Sequence, residues 1–125
     1  MNKLIYLAGP YSYDPYAAFE LHLFYLAQVM RMGNFVFSPI VHNHHLAHIH
    51  DFPHTHEYWA AHNEFMLKRC DELWVMTELN WESSKGTAFE LLVAKKLGLP
   101  IKYIRVTDSM VSVRSHSPFE VPTNG

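Results

Sequence analysis

The segment from Asn80 to Glu90 holds the residues best suited to chemistry, and it lies between a predicted strand and a predicted helix. Gly86 at the helix start would let a ligand approach free backbone N–H groups, where the helix dipole favours an anion. Ser84 and Thr87 add hydroxyl donors. Glu90 follows one turn later, and the dipole helps to keep its carboxylate ionised. The pattern predicts a phosphate or sugar site beside a carboxylate that could attack an anomeric carbon. Ordinary helix capping is the alternative interpretation.

A second candidate segment ends the first apolar run of the chain. Tyr6 lies within the run Leu4–Ala8, and Gly9 and Pro10 follow it directly. A strand that ends in Gly-Pro makes a sharp turn, which leaves room above a sheet. Tyr6 taken alone is more typical of a core tyrosine than of a functional residue.

Histidines form a third candidate, because eight of the ten fall within 21 residues, from His42 to His62. Imidazole is a common zinc or nickel ligand. The spacing is irregular, however, and no cysteine or His-Glu-x-x-His motif accompanies it, so we expect no metal. A loop over the site could use His42 or His44 on a phosphate or base. A polar surface loop with incidental histidines is the third interpretation.

Aromatic side chains could stack on a nucleobase, or they could equally be packing residues. The candidates for stacking are Tyr11, Tyr13, Trp59 and Trp81. Trp74 lies within a predicted strand, so we expect it in the core.

Four short apolar runs must supply the strands that position these segments. They are Leu4–Ala8, Asn34–Ser38, Leu73–Thr77 and Ile101–Val106. None alternates strictly with polar residues, which is typical of parallel strands buried on both faces. Helical patterns run between them from Asp14 to Gly33, from about Glu57 to Arg69, and from near Gly86 to Leu97. This alternation predicts a layered α/β fold.

In open α/β sheets the ligand site lies beyond the carboxyl ends of the strands. That rule selects the segments Gly9–Ser12, Ser38–His56 and Glu78–Gly86 and the residues after Val106. We expect one domain over residues 1–106. The tail over residues 107–125 has a different composition and could form a short strand near Met110–Val113 or pack on a neighbouring subunit.

Composition excludes several classes of protein. The chain has 125 residues, of which 49% are apolar, so one core is feasible and disorder is not expected. A net charge of −2 gives no electrostatic footprint for a nucleic-acid polymer. Cys70 is the single cysteine, which permits no internal disulfide. No apolar run has the length of a membrane span or an export signal. We expect a soluble cytoplasmic protein.

Taken in order, four motifs resemble those of the nucleoside 2-deoxyribosyltransferase family and its relatives, the 2′-deoxynucleoside 5′-monophosphate N-glycosidases. The motifs are Tyr-Leu-Ala-Gly-Pro, Ser-Pro-Ile, Cys-Asp-Glu-Leu-Trp-Val and Gly-Thr-Ala-Phe-Glu. The resemblance covers about residues 3–104 and is nearest to a phage and bacterial branch of unassigned function. It implies a flavodoxin-like three-layer α/β sandwich with a mostly parallel sheet of four or five strands. It also implies no cofactor, and a homodimer or homotetramer in which a neighbouring tail completes each site.

The resemblance also implies roles for individual residues. Glu90 matches the nucleophile that forms a covalent deoxyribosyl ester, and Tyr6 matches the tyrosine bonded to it. Ser84 stands where the transferases carry an aspartate for the 5′-hydroxyl and where the monophosphate glycosidases carry a serine, so it indicates a phosphorylated substrate. The predicted substrate-binding residues are Gly9, Pro10, Tyr11, Ser38, His42, His44, Ser84, Gly86 and Thr87.

One position departs from the family pattern. The family carries an aspartate that protonates or orients the leaving base eight residues before the position of Asp71, and here that residue is Asn63. An amide cannot deliver a proton, so Glu64 or a histidine substitutes, or the reaction differs. We expect hydrolysis of the N-glycosidic bond of a (2′-deoxy)nucleoside 5′-monophosphate. Base exchange and a catalytically weak nucleotide-binding module are the alternatives, and a metal-dependent hydrolase is the least favoured.

Overall fold

A computed structural model describes residues 2–11, 14–78, 80–108 and 110–118. The strands are β1 (Leu4–Ala8), β2 (Phe35–Phe37), β3 (Glu72–Met76), β4 (Ile101–Thr107) and β5 (Met110–Arg114). The helices are α1 (Pro15–Arg31), α2 (Pro39–Ile49), α3 (His56–Leu67) and α4 (Lys85–Leu97), with a 3₁₀ turn at Trp81–Ser83.

The strands form one sheet in the order β2-β1-β3-β4-β5. The first four are parallel, with Tyr6 paired to Phe37 on one side and Leu73 on the other. β4 and β5 are antiparallel. The mostly parallel sheet lies between helical layers, which confirms the predicted flavodoxin-like three-layer α/β sandwich and the short strand in the tail.

Alternate residues of the strands face the two helical layers. Tyr6 and Ala8 of β1 pack in a cluster with residues of α3 and α4, such as Leu67 and Ala94. The other face of the sheet packs on α1, in a second cluster of Ile5, Leu7, Tyr25, Val29, Trp74, Met76 and Ile104. All five residues of β3 are buried, as its apolar sequence predicts for a central strand. Trp74 therefore lies in the core, as expected.

The predicted boundaries of α1 and α4 are confirmed by their end residues. The Asp14 carboxylate accepts a hydrogen bond from the Ala17 N–H at 3.2 Å, and Pro15 opens α1. Gly33 follows the last turn of α1 with φ of 92°. Gly98 ends α4 with φ of 70°, a conformation that glycine adopts without steric cost.

The segment after β2 corrects the sequence-based prediction of a histidine loop. It forms the helix α2 from Pro39 to Ile49, and Ser38 caps it by accepting a hydrogen bond from the Val41 N–H at 3.2 Å. The Ser-Pro pair is a strong start signal. Histidines at buried and exposed positions gave this stretch no continuous apolar face, so its helical period was not recognised. Ser38 consequently caps the helix and does not extend β2.

The described part of the chain contains no helix with both the length and the apolar character needed to cross a membrane. Tyr13 and residues 119–125 lie outside the described residues, so the predictions that involve them are not addressed by the structure.

Candidate active site

A cavity of about 160 Å³ lies at the carboxyl edge of the sheet, where β1 ends and the helices α2, α3 and α4 converge. The structure brings eight of the predicted site residues to its wall: Gly9, Tyr11, His44, Asn63, Glu64, Ser84, Gly86 and Glu90. They come from four separate segments of the sequence. The cavity is therefore where the predicted chemistry would have to take place.

Glu90 and Tyr6 form a buried pair at this cavity. The Tyr6 hydroxyl donates a hydrogen bond to Oε2 of Glu90, and Tyr6 is fully buried in the sheet beneath it. Glu90 is 9% exposed. Burial raises the pKa of Glu90 to about 7, against the opposing effect of the Tyr6 hydrogen bond. The sequence predicted an ionised carboxylate held by the helix dipole, but desolvation dominates, and the carboxyl group titrates near neutral pH.

Ser84 caps α4 and also faces the cavity. Its Oγ accepts a hydrogen bond from the Thr87 N–H at 3.2 Å, so the capping interpretation is correct. Among the described residues none accepts a hydrogen bond from the Ser84 hydroxyl, so its proton can be donated to a ligand. Gly86 lies beside His56, whose Nδ1 is 3.7 Å from the position that a Cβ on Gly86 would occupy. Thr87 is buried outside the cavity lining, and its Oγ1 has no hydrogen-bond partner among the described residues.

The turn after β1 is fixed from below by a buried histidine. His22 donates a hydrogen bond from Nε2 to the Pro10 carbonyl at 3.0 Å. A Cβ on Gly9 would lie 3.1 Å from His22 Cε1 and from two atoms of Met76, so a larger residue would fit only if these side chains shifted by a few tenths of an ångström. Burial lowers the pKa of His22 to about 4, which keeps the imidazole neutral. Pro10 itself lies outside the cavity, in a neighbouring groove.

The neighbouring groove has a volume of about 640 Å³ and runs along the start of α1. It shares Tyr11, Ser84 and Lys85 with the cavity. The start of α4 therefore borders both spaces, and Ser84 lies on the wall of each.

Tyr11 joins the cavity to the histidines of α2. Its hydroxyl lies 2.6 Å from His44 Nδ1 and 3.0 Å from His48 Nε2. His44 is buried and stacks on Phe19 with ring centroids 4.4 Å apart. Burial lowers the pKa of His44 and of His48, and it raises the pKa of Tyr11 to about 12. These three groups are therefore neutral near pH 7.

Asn63 and Glu64 on α3 both reach the cavity. The Asn63 carbonyl oxygen accepts a hydrogen bond from Asn43 Nδ2 at 3.2 Å. Glu64 forms an ion pair with Lys68, in which Oε2 and Nζ are 3.0 Å apart. The Glu64 carboxylate therefore already has a cationic partner at the cavity wall.

Four of the predicted substrate-binding residues lie away from the cavity lining: Pro10 and Thr87, described above, and His42 and Ser38. His42 is exposed and stacks on His62, with ring centroids 5.2 Å apart. Ser38 is buried as the cap of α2. His42 and Ser38 make these contacts within the protein, and their contact with substrate stays a prediction.

Several cavity residues were missed, because they belong to the unrecognised helix α2 or to the segment that follows it. The missed lining residues include Pro39, Ile40, Asn43, Ala47, Thr55 and His56. The Ser38-Pro39 pair could have revealed these residues, because it marks the start of a helix and so sets which of the following positions face the sheet edge.

Of the aromatic candidates, Trp59 lines the cavity and donates its indole N–H to the Pro53 carbonyl at 2.8 Å. Trp81 is buried against Tyr103, with ring centroids 5.8 Å apart, so it is a packing residue. Cys70 is also buried, and burial raises the pKa of its thiol to about 11, which disfavours the reactive thiolate.

Within residues 2–118, apart from the undescribed positions, no three His, Cys, Asp or Glu side chains are grouped so that they could hold a metal ion. The histidines of α2 pack instead on aromatic rings and on one another. Their contacts include a distance of 4.4 Å between the ring centroids of His44 and His48.

The fold and the cavity together define a class of protein: a three-layer α/β sandwich with its cavity at the carboxyl edge of a parallel sheet, where such folds bind small ligands. The chain belongs to the family DUF1937, described as a domain of unknown function, whose model matches residues 3–105. A comparison with curated proteins finds no match.

Proposed function

We propose that the protein hydrolyses the N-glycosidic bond of a 2′-deoxynucleoside 5′-monophosphate, with Glu90 as the nucleophile. The observation that carries the proposal is the buried Glu90–Tyr6 pair, which faces a cavity bordered by the N-terminus of α4. The motif resemblance to nucleoside 2-deoxyribosyltransferases supports the same assignment, because these two residues match its nucleophile and the tyrosine bonded to it.

In the proposed reaction, a carboxylate oxygen of Glu90 attacks C1′ through an oxocarbenium-like transition state. The bond between C1′ and the base nitrogen breaks, and its electron pair leaves with the base. Water then hydrolyses the glutamyl ester, so the anomeric configuration is retained. Tyr6 orients the carboxylate. The pKa of about 7 leaves a substantial ionised fraction of Glu90 at neutral pH, in a site where little water competes for the carboxylate.

The start of α4 is suited to a 5′-phosphate. The backbone N–H groups of Lys85 and Gly86 belong to the first turn, which leaves them without intrahelical partners. Ser84 offers its hydroxyl proton, and Lys85 supplies a positive charge at the cavity wall. His56 approaches Gly86 from α3 and adds an imidazole at the same position. A carboxylate in place of Ser84 would repel a phosphate.

A catalytically weak nucleotide-binding module is the second candidate function. It is favoured by the amide of Asn63 at the cavity and by the ion pair that holds Glu64. Base exchange, in which a second base replaces water, uses the same nucleophile and stays a third candidate.

We also propose a homodimer or homotetramer in the cytoplasm. Several apolar side chains of α1 are each more than 40% exposed in one subunit, notably Tyr16, Leu23, Phe24 and Met30. Such a stripe suits a subunit interface. Cys70 is a free thiol, which is compatible with a reducing compartment.

The test is incubation with a panel of nucleosides and their monophosphates, followed by chromatography for released base. Release of free base from monophosphates supports hydrolysis of the N-glycosidic bond. A new nucleoside or nucleotide that forms only when a second base is added supports base exchange. Nucleotide binding without release supports the module. Glu90→Ala should abolish turnover, whereas the exposed control Glu57→Ala should leave it unchanged. Activity of Glu90→Ala within about threefold of wild type would remove Glu90 from its proposed role.

Ser84→Asp separates the phosphorylated from the unphosphorylated substrate. The new carboxylate should weaken kcat/KM for monophosphates severely, and it should have a mild effect on nucleosides, whose 5′-hydroxyl can donate to it. Ser112→Asp on the exposed β5 is the matched charge control. A folding defect would lower both kcat/KM values together. An unchanged preference for phosphate would reduce Ser84 to a helix cap.

A further inference from the structure

Two asparagines on neighbouring helices form a hydrogen-bonded pair at the cavity wall. Asn43 of α2 is 7% exposed, and Asn63 of α3 is half-buried. Both line the cavity. We call Asn43 and Asn63 the amide pair, and its hydrogen bonds determine which of its polar atoms are available to a ligand.

The carbonyl oxygens of the amide pair are both engaged by protein donors. His42 Nδ1 donates to Asn43 Oδ1 at 2.6 Å, and Asn43 Nδ2 donates to Asn63 Oδ1 at 3.2 Å. His62 Nδ1 also lies 3.5 Å from Asn63 Oδ1. The described residues offer no acceptor to Asn63 Nδ2, so its two N–H groups are the part of this amide left for a ligand.

The amide pair therefore presents hydrogen-bond donors to the cavity and keeps its acceptors on the protein side. A nucleobase edge that carries carbonyl oxygens and unprotonated ring nitrogens could accept hydrogen bonds from these N–H donors. The O6 and N7 edge of hypoxanthine or guanine has two acceptors, and O4 of uracil or thymine is an acceptor. The exocyclic amino groups of adenine and cytosine would place a donor against a donor, which leaves both unpaired.

We propose that the amide pair selects nucleotides with an oxo base over those with an amino base at the same ring position. This inference rests on the proposed function for the identity of the ligand as a nucleotide. Asn63 contacts the base, and Asn43 is a positioning residue that turns the Asn63 amino group toward the cavity.

The same arrangement fits the departure of the base without a proton donor. When the glycosidic bond breaks, the electron pair goes to the base nitrogen and its charge spreads onto the carbonyl oxygen. N–H donors fixed at that oxygen stabilise the developing negative charge. The base anion takes its proton from solvent after it leaves, so the amide of Asn63 need not transfer one.

The test measures binding, which does not depend on turnover. Glu90→Gln is titrated by calorimetry with the 5′-monophosphates of deoxyinosine and deoxyadenosine, which exchange O6 for an amino group. The corresponding pyrimidine pair is deoxyuridine and deoxycytidine monophosphate. The oxo member of each pair should bind about 10- to 100-fold more tightly, the discrimination of a good polar base contact.

Asn43→Asp, added to Glu90→Gln, should remove or invert this preference. An aspartate can only accept, so the Asn63 amino group would turn toward it and present its oxygen to the cavity. Asn63→Asp is a second variant that keeps an acceptor for Asn43 but removes the donor, and it should also abolish the preference. Asn2→Asp, which is exposed before β1, is the matched charge control and should keep it. Circular dichroism checks that each variant is folded.

Affinities within about threefold for the two members of each pair would overturn the inference. So would a preference that survives both aspartate variants, and so would binding of none of the four nucleotides. If wild type releases no base but the preference and its loss are observed, the proposed hydrolysis fails and the inference stands. If base is released at equal rates and the two members bind equally, the inference fails and the hydrolysis stands.

Discussion

Replacing Glu90 by glutamine should stabilise the protein relative to wild type as the pH rises from about 4.5 to 7. The glutamine carbonyl can still accept the Tyr6 hydrogen bond, but the side chain cannot ionise. Burial raises the pKa of Glu90 from 4.5 to about 7. Folded wild type therefore binds the proton more tightly than the unfolded chain, and its free energy of unfolding falls as the pH rises through this window. At about 1.4 kcal/mol for each pKa unit, the loss amounts to about 3 kcal/mol.

In wild type, the buried His22 opposes the effect of Glu90 on the pH dependence of stability. Burial lowers the pKa of His22 from 6.5 to about 4. The unfolded chain binds this proton more tightly, so His22 contributes stability that increases as the pH rises from about 4 to 6.5. The contributions of His22 and Glu90 are similar in size and opposite in sign. The difference between wild type and Glu90→Gln cancels the His22 contribution and isolates Glu90.

The assay is urea unfolding from pH 4.5 to 8, followed by the fluorescence of the buried Trp74 and Trp81. The free energy of unfolding of wild type minus that of Glu90→Gln should fall by about 3 kcal/mol across this range. For the exposed control Glu57→Gln, the difference in free energy of unfolding from wild type should not change with pH. If the free energy of unfolding of wild type minus that of Glu90→Gln stays constant or rises with pH, burial does not control the pKa of this carboxyl group.

Four further outcomes are expected. Because Glu90 must be ionised to attack, kcat/KM for base release should rise about tenfold between pH 6 and 8 and then level off; a fall over this range would contradict the assignment. Gly9→Ala should lower the free energy of unfolding by about 1–3 kcal/mol, because the added Cβ lies 3.1 Å from atoms of His22 and Met76. Leu67→Ala should cost about 2–5 kcal/mol in urea unfolding, since Leu67 is fully buried. A chelator should not affect base release, whereas a loss restored by zinc or nickel would assign a metal to the histidines.

Local sequence was sufficient for most of the architecture. The short, largely apolar runs identified β1, β3 and β4, and the reason is clearest for β1 and β3, which are almost wholly buried. The Asp14-Pro15 start and the Gly98 stop fixed the ends of α1 and α4, because capping depends on a few adjacent residues. Parallel strands joined by helices leave few permitted topologies, so the position of the site at the carboxyl edge followed from the order of elements.

Tertiary structure alone decided the properties that depend on residues far apart in the sequence. The pKa of Glu90 is set by desolvation from all elements packed around it, so the helix dipole seen in the sequence gave the wrong direction. The amide pair joins residues 20 positions apart, and no local pattern links Asn43 to Asn63. The helix α2 escaped detection partly because His44, a polar residue in sequence, is buried by contacts with Tyr11 and Phe19 from the preceding segment. Burial depends on which neighbours cover a side chain, and only the folded chain brings those neighbours together.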